Sequence, residues 1–166
     1  MIPIIIMIIS FVLDGILSNF LPYINLSLFT PLLTVTSIFL IYPFYKKKEF
    51  NFFIIITILG ILYDLFYTNL LFFNALLFLL IGYLTKTIYK NLDISILKII
   101  IYIIGLIIIY ETSTALIIYV FNLTPVTINK VIYKISHSLI LNVIYTEIIY
   151  LIIKLIPTKY KKININ

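Results

Sequence analysis

Four acidic side chains stand inside long apolar stretches of the sequence: Asp14, Asp64, Glu111 and Glu147. An ionisable residue in such a stretch is rare, and it is a candidate for a proton relay, a ligand contact or a partner contact. Asp64 is the least expected of the four, because it precedes a join of only three residues, 67–69, between two apolar runs. The chemistry of this chain therefore has to be sought among buried carboxyl groups.

The composition predicts the environment in which these acids lie. Hydrophobic residues make up 63% of the 166-residue chain, charged residues only 11%, and the mean hydropathy is +1.22. A soluble domain carries about 25% charged residues. We therefore predict an integral membrane protein with a single transmembrane domain, residues 1–166. The absence of cysteine excludes disulfides, thiolate metal sites and cysteine nucleophiles.

Six apolar runs are long enough to predict an all-α bundle of six transmembrane helices. They cover residues 2–21, 26–45, 50–67, 70–89, 96–121 and 131–156, with polar residues 111–114 interrupting the fifth. Pro31 falls within the first turns of the second run, and residues 57, 60, 64 and 67 form a small and polar stripe suited to close helix contact. With six spans, ten of the twelve lysines fall on one side, against Lys130 and Lys134 on the other. The positive-inside rule then predicts that both termini are cytoplasmic.

Depth along the predicted helices brings several polar residues to a common level. Counting about 1.5 Å per residue across a hydrocarbon layer of about 30 Å puts five of them in the outer half. They are Asp14, Asp64, Asn74, Glu111 and His137. This layer predicts either a polar cavity or partner-docking surface, or hydrogen bonds that only fix helix packing. With no arginine and no lysine at that depth, we expect the acids to be neutral and Asp64 to donate a hydrogen bond.

Catalysis and metal binding have little support in the sequence. A single histidine, His137, does not make a metal site. The serines beside it lack a Ser-x-x-Lys or Gly-x-Ser-x-Gly pattern, and a chain with four glycines has no glycine-rich phosphate loop. The lysines lie at the ends of apolar runs, which argues against nucleic-acid binding. We expect a non-enzymatic protein without a cofactor.

Several short motifs follow one another in an order that resembles the MreD family of rod shape-determining membrane proteins. They are Phe29-Thr30-Pro31, Pro43 followed by a lysine cluster, Gly60-Ile61-Leu62-Tyr63-Asp64-Leu65, the helix at 70–84, Glu111 and Leu141-Asn142-Val143. The resemblance runs through essentially the whole chain. It implies a fold similar to the six-helix substrate-binding S-components of ECF vitamin transporters.

The resemblance also implies a function. The family is a non-enzymatic part of the cell-elongation machinery in the bacterial plasma membrane, where it supports peptidoglycan synthesis. It partners with MreC and, through MreC, with MreB filaments, the RodA glycosyltransferase and a class B penicillin-binding protein. Pro31, Gly60 and Asn142 would shape the bundle, and Asp64 is the residue that we expect to touch a partner. The alternative is a small-molecule-binding S-component of a transporter, with its ligand among the five polar residues of the outer layer.

Overall fold

The computed structural model describes residues 2–23, 30–68, 70, 72–90 and 95–155. Every regular element in these residues is helical, which confirms the predicted all-α class for them. The helices are α1 (Ile2–Tyr23), α2 (Leu33–Tyr45), α3 (Glu49–Tyr63), α4 (Phe73–Lys90), α5 (Ile96–Val120) and α6 (Ile128–Leu155), and a π-helical turn, Asp64–Thr68, continues α3.

Four of these helices are long and apolar enough to cross a membrane. They cover Ile2–Leu21, Glu49–Thr68, Ile96–Val120 and Ile128–Leu155. The other two, α2 and α4, do not meet that standard. The 13 residues of α2 extend over about 20 Å, well short of a hydrocarbon layer of about 30 Å. The described chain is therefore a helical membrane protein that combines four long apolar helices with two others.

The start of α2 differs from the sequence prediction. Residues 30–32 are not helical, so Pro31 precedes the helix instead of lying within its first turns. Residues 26–29, the start of the predicted second run, lie outside the described residues. The physical reason is that α2 takes its first hydrogen-bond acceptors from other helices, as described below, so the apolar run alone did not define where it begins.

The fifth predicted helix is also different, because the polar residues 111–114 do not interrupt it. α5 continues without a break to Val120. The Thr112 hydroxyl donates a hydrogen bond of 2.7 Å to the carbonyl of Ile108, one turn earlier. A hydroxyl satisfied in this way leaves the backbone ladder of the helix intact.

α2 is the centre of the bundle. It contacts each of the other five helices, and all residues from Leu33 to Tyr42 are buried. An apolar helix without a polar face is stable only where neighbours surround it. Near its end, Tyr42 and Phe39 pack against Tyr89 of α4 with ring centroids 5.5 Å and 4.8 Å apart.

Helices that follow one another in the chain run in opposite directions. The first turn of α3 meets the last turns of α4 through an ion pair between Glu49 and Lys86 with an N–O distance of 2.6 Å. Ile2 and Ile5 of α1 share a groove with Ile149 and Ile152 at the far end of α6. One end of the bundle thus holds the starts of α1, α3 and α5, and we call it the terminal end. The opposite end holds the starts of α2, α4 and α6. We call it the capped end, because the starts of α2 and α4 are capped by aspartates described below.

α3 and α4 approach each other closely at Gly60. A β-carbon added to Gly60 would lie 2.5 Å from the Ala75 Cα and 2.7 Å from the Ala75 backbone nitrogen. Backbone atoms cannot move aside as a flexible side chain can. Glycine at this position therefore permits the contact between the two helices, in the manner of small-residue interfaces in membranes.

We predict that Gly60→Ala destabilises the bundle by about 1–3 kcal/mol, because the added methyl group overpacks the α3–α4 contact. Thermal unfolding of the purified protein in detergent measures the effect. Gly105→Ala is the matched control, since a β-carbon there meets nothing within 4 Å. That variant should be neutral or slightly more stable, because alanine favours the helix. Equal unfolding temperatures for the two variants would contradict the prediction.

Candidate functional site

The N-terminus of α2 is capped by an aspartate from the preceding helix. Asp14 of α1 is 1% exposed, and its Oδ1 accepts a hydrogen bond of 2.7 Å from the Leu33 N–H. Its Oδ2 accepts one of 2.9 Å from the Thr34 N–H. The first N–H groups of a helix have no partner within the helix, and a negative charge there is favoured by the helix dipole. Leu32, the residue at the N-cap position, has no side-chain acceptor for these N–H groups. Asp14 supplies the acceptor instead.

Asp64 performs the same task for α4. It is fully buried, and both of its oxygens accept from the Asn74 N–H, at 2.9 Å and 3.0 Å. Further bonds come from the Ala75 N–H at 3.3 Å and the Asn74 Nδ2 at 2.8 Å. The Thr68 hydroxyl donates to Oδ1 at 2.9 Å. Asp64 therefore joins the end of the π turn to the first turn of α4.

Two expectations about Asp64 are wrong. It accepts all the hydrogen bonds that it forms with described residues, whereas we expected it to donate one. It is also not available to a partner, since no part of it is exposed. The reason is the same in both cases. Unpaired N–H groups at the start of α4 surround the carboxyl group, and these donors come from a tertiary contact that local sequence does not reveal.

Asn74 extends this junction to α5. Its side-chain oxygen accepts a hydrogen bond of 2.7 Å from the Tyr110 hydroxyl, and both residues are buried. The same hydroxyl lies within electrostatic range of three acids: Asp14, Asp64 and Glu111. Four of the five residues in the predicted polar layer therefore lie around one region of the capped end.

Asn142 of α6 holds the segment that leads into α2. Its Oδ1 accepts from the Leu32 N–H at 3.1 Å, and its Nδ2 donates to the carbonyls of Ser138 at 2.7 Å and Thr30 at 3.4 Å. Pro31 stands between Thr30 and Leu32, both of which Asn142 binds, and it has no N–H of its own to satisfy. The amide thus replaces the helical partners that this short non-helical stretch lacks.

Glu111 has a different environment from the two aspartates. It is 7% exposed, and it forms no hydrogen bond with any residue that the structure describes. It lines a cavity of about 360 Å³ at the capped end, which we call the outer cavity. The other polar residues that line it include Ser18, Asn19, Tyr67, Thr68 and Lys134.

Lys134 of α6 is a functional candidate that the sequence reasoning missed. We expected no lysine at the depth of the acids, yet Lys134 and Glu111 line the same cavity and attract each other electrostatically. They are not in direct contact, since no ion pair within 4.0 Å joins them. The available signal was the position of Lys134 inside the predicted sixth span, where a charge is costly.

His137 does not join the group. Its ring stacks on Tyr133 with centroids 3.8 Å apart, and its Nδ1 lies 2.7 Å from the Tyr133 carbonyl and 3.2 Å from the Ser136 hydroxyl. These contacts are all within α6. The depth estimate treated height alone, whereas the rotation of α6 turns His137 away from the acids. No set of three or more potential metal ligands occurs in the described part of the chain.

The fold and its buried polar junctions define an α-helical membrane protein in which two of the four acids in the apolar stretches, Asp14 and Asp64, organise helix starts. Comparisons of the chain with protein-family models, curated proteins and solved structures found no match.

We predict that Asp14→Asn and Asp64→Asn each lower the free energy of unfolding by about 1.5–3 kcal/mol, the range for hydrogen bonds to charged groups. An amide replaces one acceptor oxygen by an NH₂ group, which faces N–H donors in both places. Thermal unfolding in detergent measures the loss. Glu147→Gln makes the same chemical change at an exposed site and should leave stability unchanged. An Asp14→Asn variant as stable as Glu147→Gln would refute the capping role.

Proposed function

We propose that this chain is a non-enzymatic scaffold of the bacterial plasma membrane that crosses the bilayer six times, with both termini in the cytoplasm. The lysine distribution supports this orientation. In the described residues the terminal end carries Lys46, Lys47, Lys48, Lys86, Lys90, Lys98 and Lys154, whereas the capped end carries Lys130 and Lys134. Cytoplasmic loops are enriched in lysine in this way.

The observation that carries the proposal is the use of Asp14 and Asp64 as helix caps. Intramembrane acids are functional suspects by default, but these two are almost completely buried and bound to backbone N–H groups. They therefore build the bundle. What the bundle offers to other molecules is its outer surface, on which large apolar side chains of α1, α3, α5 and α6 are exposed. Such a surface suits contact with the membrane helices of partners.

The residues that carry the resemblance to the MreD family support the same proposal. Pro31 and Asn142 lie together at the approach to α2, and Gly60 and Asp64 lie together at the α3–α4 junction. Motif residues that coincide with the joints of a bundle suit a protein whose task is to hold a shape. We propose that the chain docks the single membrane helix of an MreC-like protein and, through it, MreB, RodA and a class B penicillin-binding protein.

Topology reporters and depletion test this function. Green fluorescent protein fused to either terminus should fluoresce, and alkaline phosphatase inserted in the 121–127 segment should be active, because the first needs the cytoplasm and the second the outside. Depletion should turn rod-shaped cells round, and an MreC-like protein should co-purify with the chain from native membranes. Termini on opposite sides of the membrane, or rods that persist after depletion, would each overturn the proposal.

The outer cavity favours a second candidate function, a small-molecule-binding S-component of a transporter. Glu111 and Lys134 offer an acceptor and a donor on the walls of one cavity without contacting each other. This arrangement suits a small molecule that carries both a cationic or N–H group and a carboxylate.

This candidate predicts that a free amino acid or a water-soluble vitamin raises the unfolding temperature of the purified protein. Glu111→Gln and Lys134→Met should each abolish that rise. The chain should also co-purify with an ATPase module. Ser136→Ala, on the exposed side of α6, is the control and should retain the response. No stabilisation by any compound of either class would count against this candidate and leave the scaffold proposal untouched.

A further inference from the structure

Glu147 has no partner within the described part of the chain. It follows the buried residues Tyr145 and Thr146 of α6, yet it is exposed itself. It forms neither a hydrogen bond nor an ion pair with any described residue. Among the four acids in the apolar stretches, it is the one that faces away from the bundle.

The contacts between α1 and α6 place Glu147 within the hydrocarbon layer. The hydroxyl groups of Ser10 and Tyr145 are 2.5 Å apart, so these two residues mark one level of the antiparallel pair. Glu147 lies two residues from Tyr145 toward the terminal end. It is therefore roughly 9 Å deeper in the membrane than Ile2, which is itself an exposed apolar residue at 36%. A carboxyl group that faces lipid at this depth is costly.

The surroundings of Glu147 have the pattern of a helix-packing face. Ile140, Ile144, Glu147 and Leu151 recur at spacings of four, three and four residues and so lie on one side of α6. The three apolar members are 58%, 54% and 56% exposed, respectively. This spacing is that of the seam along which two helices pack. We call these four residues the α6 face.

We propose that the α6 face docks a single transmembrane helix of a partner protein, and that this helix presents a lysine or arginine side chain to Glu147. Charge complementarity selects the partner. A carboxyl group in hydrocarbon is best relieved by a cation at the same depth, and the seam around it fits one helix. The inference rests on the proposed scaffold function and assigns the surface on which that scaffold binds its partner. It replaces Asp64, whose burial excludes a partner contact.

Site-specific photo-crosslinking in native membranes locates the contact. A photoreactive amino acid at Ile144 of the full chain should crosslink to one membrane protein that has a basic residue in or beside its transmembrane helix. The matched control is the same substitution at Ile58 of α3, which is 53% exposed against 54% for Ile144. It should not crosslink to that protein.

Charge exchange then tests the role of Glu147. Glu147→Gln should lower the recovery of the partner roughly threefold to twentyfold, the range of polar contacts between membrane helices. Glu147→Lys should abolish recovery, and an acidic residue in place of the partner's basic one should restore it. Glu49→Gln removes the same charge from another face and should leave recovery unchanged. Unaltered thermal stability of Glu147→Gln shows that the variant folds.

Several results would overturn the proposal. They are crosslinks from Ile144 to lipid alone or to a second copy of this chain, a partner without a basic residue near its membrane helix, and normal recovery by Glu147→Gln. Crosslinks to the partner from Ile58 instead of Ile144 would move the docking face to α3 and leave the scaffold function intact. Rod-shaped cells after depletion, with no partner recovered from any position, would instead remove the scaffold function itself.

Discussion

Two helices of this bundle begin with buried residues whose first N–H groups have no partner within the helix: Leu33 and Thr34 in α2, Asn74 and Ala75 in α4. In hydrocarbon every backbone donor needs an acceptor from the protein, and Asp14 and Asp64 supply it for α2 and α4. This constraint explains why a short apolar helix can occupy the centre of the molecule. Once the start of α2 is satisfied, its sides can be buried by the five helices around it. Without the cap, burial of α2 would leave the N–H groups of Leu33 and Thr34 without an acceptor.

The junctions at the starts of α2 and α4 are both capped by an aspartate, but different helices contribute to them. In each, a long apolar helix carries an aspartate whose oxygens bind the start of the next helix. Asp14 bonds residues about twenty positions later, and Asn142 of α6 holds the intervening approach. Asp64 bonds residues ten positions later across a tight join, where the π turn places Thr68 beside it. The first junction therefore depends on a third helix, whereas the second is closed mostly within its own hairpin.

The sequence was sufficient for properties that depend on length and average polarity. Long apolar runs define α1, α3, α5 and α6 closely, because crossing hydrocarbon demands about twenty apolar residues wherever the helix lies. It was insufficient for α2, because the acceptors that determine its first residue come from α1 and α6. The same reason explains Asp64: its donors are set by the docking of α4. His137 was misplaced because depth does not determine the direction in which a helical side chain points.

The three types of acid site show why a carboxyl group in a membrane helix cannot be interpreted from its position in the sequence alone. Asp14 and Asp64 are enclosed, and the fold itself supplies N–H donors to their oxygens. Glu111 is nearly enclosed but lines a cavity together with Lys134. The two side chains do not form an ion pair, so a small molecule has room between them. Glu147 faces outward with nothing from its own chain. Each of these acids in isolation has a similar cost of insertion into the membrane. They differ in where the group that pairs with the carboxyl comes from: another helix of the bundle, a molecule in the cavity, or a partner protein.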